Sequence, residues 1–148
     1  MNRDSELLQD QAMDMISPER RSEVMRRIRS SNTKPEMAVR RLLHGLGFRF
    51  RVHVNSLPGT PDIVMAKYRS VILVHGCFWH SHQGCKRAFV PSSNQQFWLK
   101  KLKANQERDK RVRKALRSAG WNVILIWECQ LRYPERLASR LLRCLEKN

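Results

Sequence analysis

The 148-residue sequence predicts an α/β fold, a mixed β-sheet flanked by helices, and three stretches carry that prediction. Phe48-Arg49-Phe50-Arg51-Val52-His53-Val54 alternates apolar and polar side chains with the period of a half-buried strand. Trp121–Trp127 is apolar throughout except for Asn122, the pattern of a strand covered on both faces. Between them, Gln95–Ala119 places Trp98, Leu102, Val112, Leu116 and Ala119 on one helical face, with Gly120 as its C-cap.

The other elements fall around these three. Ser17-Pro18-Glu19 offers an N-cap serine, a proline at the first helical position and an acid in the first turn, which starts a helix over 18–30. That helix is crowded with arginine and has only a narrow apolar stripe, Val24, Met25 and Ile28. Thr33-Lys34-Pro35-Glu36 has capping-box spacing and opens a second helix, with Val39, Leu42, Leu43 and Leu46 inward. Leu57-Pro58-Gly59-Thr60-Pro61 turns the chain into two short strands, Asp62–Met65 and Val71–Val74, joined through Lys67-Tyr68-Arg69. His75–Asn94 is irregular, and Pro134 starts a last helix with Leu137, Leu141, Leu142 and Leu145 inward and Cys144 on the same apolar face. Residues 17–148 therefore read as one domain, and residues 1–16 as a loose acidic tail.

Charge narrows the function. The chain has 29 Lys+Arg against 13 Asp+Glu, a net charge of +16. Asp4, Glu6, Asp10 and Asp14 sit in the tail with a single base, Arg3, so the domain itself is more basic still. Such an excess repels itself and calls for a polyanion; the bases are spread over the whole domain, which favours nucleic acid over a membrane surface. No stretch approaches the roughly 18 apolar residues of a membrane span, and the N-terminus lacks the form of a secretory signal, so a cytoplasmic location is expected.

Cys77, Cys85 and the distant Cys129, with histidines at 75, 80 and 82, form a soft donor set at spacings suited to tetrahedral zinc. Spacing alone leaves open which histidine completes it. Asp62, after Pro61 and before an apolar strand, is placed to project from the sheet edge, where a hydrated Mg²⁺ takes one or two carboxylates. Glu36 on the preceding helix, the Pro-Asp strand and the hairpin together resemble the core of the PD-(D/E)xK nucleases. The usual acid-x-Lys on the next strand is absent, with Ile72-Leu73-Val74 in its place.

One branch fits better. His75-Gly76-Cys77-Phe78-Trp79-His80-x-His82, Leu57-Pro58-Gly59-x-Pro61-Asp62, Phe97-Trp98, Asn105-x-Glu107-Arg108-Asp109 and Trp127-Glu128-Cys129 closely resemble the very short patch repair endonucleases, from about Ser17 to Leu145. The resemblance implies a PD-(D/E)xK-like fold with a structural Zn²⁺ and a Mg²⁺-dependent nick on the 5′ side of the thymine in T:G mismatches left by deaminated 5-methylcytosine. It implies Asp62 and the Val74 carbonyl as magnesium ligands, His80 as the catalytic histidine, Glu36 as the acid ordering the metal's waters, and His75 at the scissile phosphate. Cys77, His82, Cys85 and Cys129 correspond to the zinc ligands, with one extra residue near Gly84. Phe78, Trp79 and Trp98 correspond to aromatics that wedge beside the mismatch, and Met25 to a residue inserted from the minor groove. Lys101 and Asn105, a helical turn apart, are the expected polar readers. The expected partners are mismatched duplex DNA, a cytosine-5 methyltransferase in the same pathway and a mismatch-repair protein, with the enzyme acting as a monomer. Two other readings share the scaffold: a zinc-stabilised DNA-binding module without activity, and a less selective duplex nuclease.

Overall fold

The computed structural model describes residues 31–146. The acidic tail, the helix expected over 18–30 and Met25 upon it lie outside the described residues. α1 (Lys34–Gly45) starts where the capping spacing places it: the Glu36 amide donates to Thr33 Oγ1 at 3.4 Å, and Pro35 lies in the first turn. Its buried stripe is Glu36, Val39 and Leu43, so a carboxylate occupies a position that the helical period aims inward.

In the alternating stretch Phe48 and Phe50 pack on the core as expected, but Val52 is exposed and the stretch pairs over two residues only, β1 (Arg51–Val52). His53 takes the left-handed conformation (φ 50°), and this turns the chain out of the sheet after Val52. β2 (Ile63–Met65) and β3 (Ser70–His75) are antiparallel, linked by a short 3₁₀ turn at Ala66–Tyr68. α2 (Gln95–Ser118) then crosses to β4 (Asn122–Trp127), which lies parallel to β3, giving the order β1-β2-β3-β4. α3 (Pro134–Glu146) follows, and Cys144 packs at the edge of the core beside buried Leu141 and Leu145.

Strand alternation divides the core. Ile63, Met65, Ile72, Val74, Ile124 and Ile126 meet Val39 and Leu43 of α1 and Leu137, Leu141 and Leu145 of α3. Val64, Val71 and Leu73 meet Leu116 and Val112 of α2 on the other face. β4 is less enclosed than its composition suggests: Ile124 and Ile126 are buried, whereas Val123 and Leu125 are half-buried, because one helix covers that face and two cover the other. Ala119, expected inward, is an exposed C-cap, since Gly120 at φ 89° already turns the chain toward β4. Among the described residues no helix is long and apolar enough to cross a membrane.

The topology gathers chemistry at one end of the sheet. β2 starts, and β3 and β4 finish, on the same side, so Asp62, His75 and Glu128 are neighbours, and α2 passes over them. The turn before Asp62 is held against that helix through Gly59 (φ 70°), where a Cβ would stand 2.4 Å from Val112 Cγ1. Gly59→Ala should therefore cost about 1–3 kcal/mol in urea or thermal unfolding, from strain and overpacking together. Adding Val112→Ala should recover part of that loss; purely additive losses would show that the close approach is not the cause.

Candidate active site and metal cluster

A cleft of about 920 Å³ opens at this end of the sheet, walled by Glu36, His53, Asp62, His75, His80 and Asp109 among others. Asp62 Oδ2 accepts from the Val74 amide at 2.7 Å, which ties the start of β2 to the end of β3. Burial pushes the Asp62 carboxyl up to about 6; the Val74 amide opposes this, nearby Glu36 adds to it, and the His53 and His80 charges oppose it. A desolvated carboxyl beside a second acid is a donor set that a small dication would stabilise, as Mg²⁺ sites with few protein ligands do.

His80 faces the same cleft. Its Nδ1 lies 2.6 Å from Asp109 Oδ2, and its ring stacks on His75 with centroids 3.8 Å apart. Burial alone would raise Asp109, but the His80 hydrogen bond and the charges of His80, His75 and Arg108 outweigh it and hold the carboxyl below its ordinary value. An ionised carboxylate can only accept, so His80 Nδ1 carries the proton and its Nε2 lone pair is free. His75 is almost wholly buried: desolvation, then the His80 charge, lowers it to about 3, so it is neutral at physiological pH, and its Nδ1 has no partner among the described residues. The donor atoms of His75, His80 and Asp109 lie within 4.8 Å of one another. Stacked rings, however, send their in-plane lone pairs in parallel, which is a poor arrangement for one shared ion.

Beyond β3 the chain folds into tight turns, with His80 N donating to Gly76 O and His82 N to Cys77 O. This brings Cys77, His82 and Cys85 to Cys129 just past β4, all four donor atoms within 4.8 Å of one another. His82 Nδ1 is 3.5 Å from both Cys77 Sγ and Cys129 Sγ. Tetrahedral zinc with bonds of about 2.3 Å to sulfur and 2.0–2.1 Å to nitrogen separates S and N by roughly 3.5 Å, so the donors already have the spacing of such a site. Burial pushes the Cys77 and Cys129 thiols up, and a bound dication would convert them to thiolates. Trp127 stacks on His82 at 4.0 Å, Glu128 accepts from the Cys77 amide at 3.0 Å, and Gly84 turns the chain at φ 76° between the two ligand candidates His82 and Cys85.

The expected DNA-facing residues divide. Trp79 and Lys101 line the cleft. Asn105 also lines it but donates to the Trp79 carbonyl at 3.0 Å, so it braces the loop bearing that tryptophan. Phe78 and Trp98 are buried beneath, in an aromatic cluster with Trp79 and Phe89, and Trp98 Nε1 has no partner among the described residues. Sequence reasoning gave no role to Asp109 or His53. The signal for Asp109 lay in the helix period: Trp98, Leu102, Asn105, Asp109, Val112 and Leu116 form one inward stripe, interrupted by two polar residues at its centre.

The tautomer deduced for His80 predicts its spectrum. Long-range ¹H–¹⁵N correlation at neutral pH should show the proton on Nδ1, and Asp109→Ala should return the ring to the usual mixture dominated by Nε2–H. Unchanged nitrogen shifts in the variant would show that Asp109 does not fix the ring.

Comparison with known proteins agrees with this geometry. Residues 13–87 match the family model described as DNA mismatch endonuclease Vsr. The chain is 49% identical over 133 residues to the type II nicking enzyme V.XorIIP of Xanthomonas oryzae pv. oryzae, covering 90% of this chain and 97% of the relative. It is 41% identical over 134 residues to the type II nicking enzyme V.NmeAIP of Neisseria meningitidis, covering 90% and 95%. With the DNA mismatch endonuclease Vsr of Escherichia coli it shares 46% identity over 122 residues, covering 82% of this chain and 78% of the relative. Identity at this level across most of the sequence, together with the family match, means that the chain belongs to the DNA mismatch endonuclease Vsr family and is a DNA endonuclease.

Proposed function

We propose that the enzyme nicks duplex DNA on the 5′ side of the thymine in T:G mismatches derived from 5-methylcytosine, with Mg²⁺ at Asp62 and the Val74 carbonyl and a structural Zn²⁺ on Cys77, His82, Cys85 and Cys129. The observation that carries the reading is the hydrogen bond from His80 to Asp109 beside Asp62 in one cleft. When bound, Mg²⁺ supplies charge stabilisation at the phosphate oxygens. His80 Nε2 takes the proton of the attacking water, and Asp109 stabilises the imidazolium that results. Glu36 orients water on the α1 side, and neutral His75 braces His80 and faces the scissile phosphate.

Recognition uses the aromatics and the polar face of α2. Trp79 is at the cleft wall, and Trp98, buried but with no partner for its indole N–H among the described residues, lacks there the anchor a buried tryptophan normally has. A T:G pair stacks weakly, so a wedge entering there unstacks it at lower cost than a matched pair. Lys101 and Asn105 flank the same wall, and Met25 reaches the minor groove from the preceding segment. Residues 17–148 act as one PD-(D/E)xK-like domain and as a monomer, in the cytoplasm. The mismatches it repairs arise at the sites of a cytosine-5 methyltransferase, with a mismatch-repair protein as a possible helper. The relatives named as nicking enzymes support single-strand cleavage.

Asp62→Ala should abolish nicking of a T:G duplex in Mg²⁺ while leaving its binding to that duplex within about twofold. Equal cleavage of matched and mismatched duplexes by the native enzyme would instead establish the less selective nuclease, and retained cleavage by the variant would move the active site elsewhere. Elemental analysis should find about one zinc per chain, as a four-donor site implies. Cys129→Ala should lose both the metal and the cooperative thermal transition. Active protein free of zinc would remove the structural role of the metal.

A further inference from the structure

Glu36 is 3% exposed, yet its carboxylate meets the cleft, so something must hold it. Every hydrogen bond it makes among the described residues falls on Oε2, from the Asn32 amide at 3.0 Å and from Arg40 Nη2 at 3.4 Å. Oε1 has no hydrogen-bond partner among the described residues. The guanidinium of Arg40, one helical turn on, is 13% exposed and is itself pinned: Nη1 donates to Asn32 Oδ1 at 3.0 Å, and Nη2 lies 3.0 Å from His53 Nε2. A guanidinium can only donate, so His53 Nε2 is the acceptor of that bond. This gives a purpose to the left-handed backbone at His53, which breaks β1 and brings the imidazole to Arg40 and within 3.8 Å of Glu36.

We propose that Arg40 is a positioning residue for Glu36, and that His53 is the acceptor that fixes Arg40. The fork holds Oε2 back and presents Oε1 to the water and metal side of the cleft. Its positive charge, 3.4 Å from Glu36 Oε2, also balances one of the two acids that line the cleft. The inference rests on the role proposed above for Glu36, and a mutant cycle separates the two.

The test measures single-turnover nicking of a T:G duplex across a Mg²⁺ titration, with duplex affinity and melting temperature recorded for each variant. Arg40→Met should slow nicking roughly tenfold, the scale of one lost hydrogen bond to a charged group, and should raise the Mg²⁺ concentration needed for half-maximal rate. Arg40→Lys should recover less than half of that loss on a logarithmic scale, because a single ammonium cannot reproduce the fork. In a Glu36→Gln background, Arg40→Met should add no more than about twofold, as expected for residues acting as a unit. His53→Leu should slow nicking in the same sense, and His53→Gln, which retains an acceptor at that reach, should restore it. Losses that simply multiply in the double variant would overturn the positioning role of Arg40. A His53→Gln rate as slow as His53→Leu would overturn that of His53. If Glu36→Gln alone nicks at the native rate, the reading of the acid fails and this inference falls with it. Slowing explained by a lower melting temperature, with an unchanged Mg²⁺ requirement, would assign the network to folding only and overturn the proposal.

Discussion

The parallel pairing of β3 with β4 is the constraint on which the rest of the molecule depends. Six residues pair in register from Ser70↔Asn122 to His75↔Trp127, and the last pair sets the geometry beyond both strands. Cys77 and Cys129 each lie two residues past it, which is why donors more than fifty positions apart in sequence meet. Glu128 closes the gap by accepting from the Cys77 amide. A parallel pair also requires a long crossover, and here the crossover is α2, whose path over the strand ends brings Asp109 to His80. Donor cluster, cleft and helix follow from one strand pairing, in the crevice beyond the carboxyl ends of adjacent parallel strands.

Electrostatics completes that frame. In a chain with more than twice as many bases as acids, three carboxylates that line the cleft, two buried and one half-buried, are each given a separate partner. Asp62 has the Val74 amide, Asp109 has His80, and Glu36 has Arg40. The basic exterior draws the polyanion in, whereas the acids lining the cleft supply oxygen donors where a cation is useful. Because their partners differ in kind, Asp62 is pushed above its ordinary value and Asp109 held below it, and carboxyls in separate environments can take separate tasks.

Element types and order were legible in the sequence because its apolar residues follow simple patterns: unbroken runs for β2 and β3, buried at every position and shared alternately between two core layers, and a period of 3.6 for α1, α2 and α3. What escaped were features in which one residue overrides its neighbours. The alternation through Val54 is intact, but no periodicity reports that His53 takes a positive φ and ends pairing at Val52. Trp98 sits on the apolar stripe that sequence assigns to packing, and it is fully buried; its family role in wedging would require the aromatic cluster to open. Asp109 was visible as a polar interruption of the stripe, but its partner lies 29 residues earlier in an irregular loop, a distance that local pattern does not span. The zinc-type spacing was recognisable but by itself left the histidine open, and only the family resemblance pointed to His82; in the fold Nδ1 of His82 lies 3.5 Å from two sulfurs, whereas Nδ1 of His80 meets a carboxylate.

That division of labour between two histidines two residues apart has a mechanical consequence. Cys77 and His82 bracket Phe78, Trp79 and His80, so a single ion on the bracketing residues would fix both ends of the segment that carries the imidazole proposed as the general base and part of the cleft wall. Within the segment the left-handed Ser81 (φ 52°) reverses the chain, pointing His80 toward Asp109 and His82 toward the sulfurs. The imidazole is then held from three sides: by backbone turns, by the stacked His75 ring and by Asp109. A general base gains from such restraint, since its lone pair must meet the attacking water at a set distance and angle, and freedom in the ring would be lost entropy at the transition state. A metal that never touches the phosphate would in this way still set the rate at which it is cut.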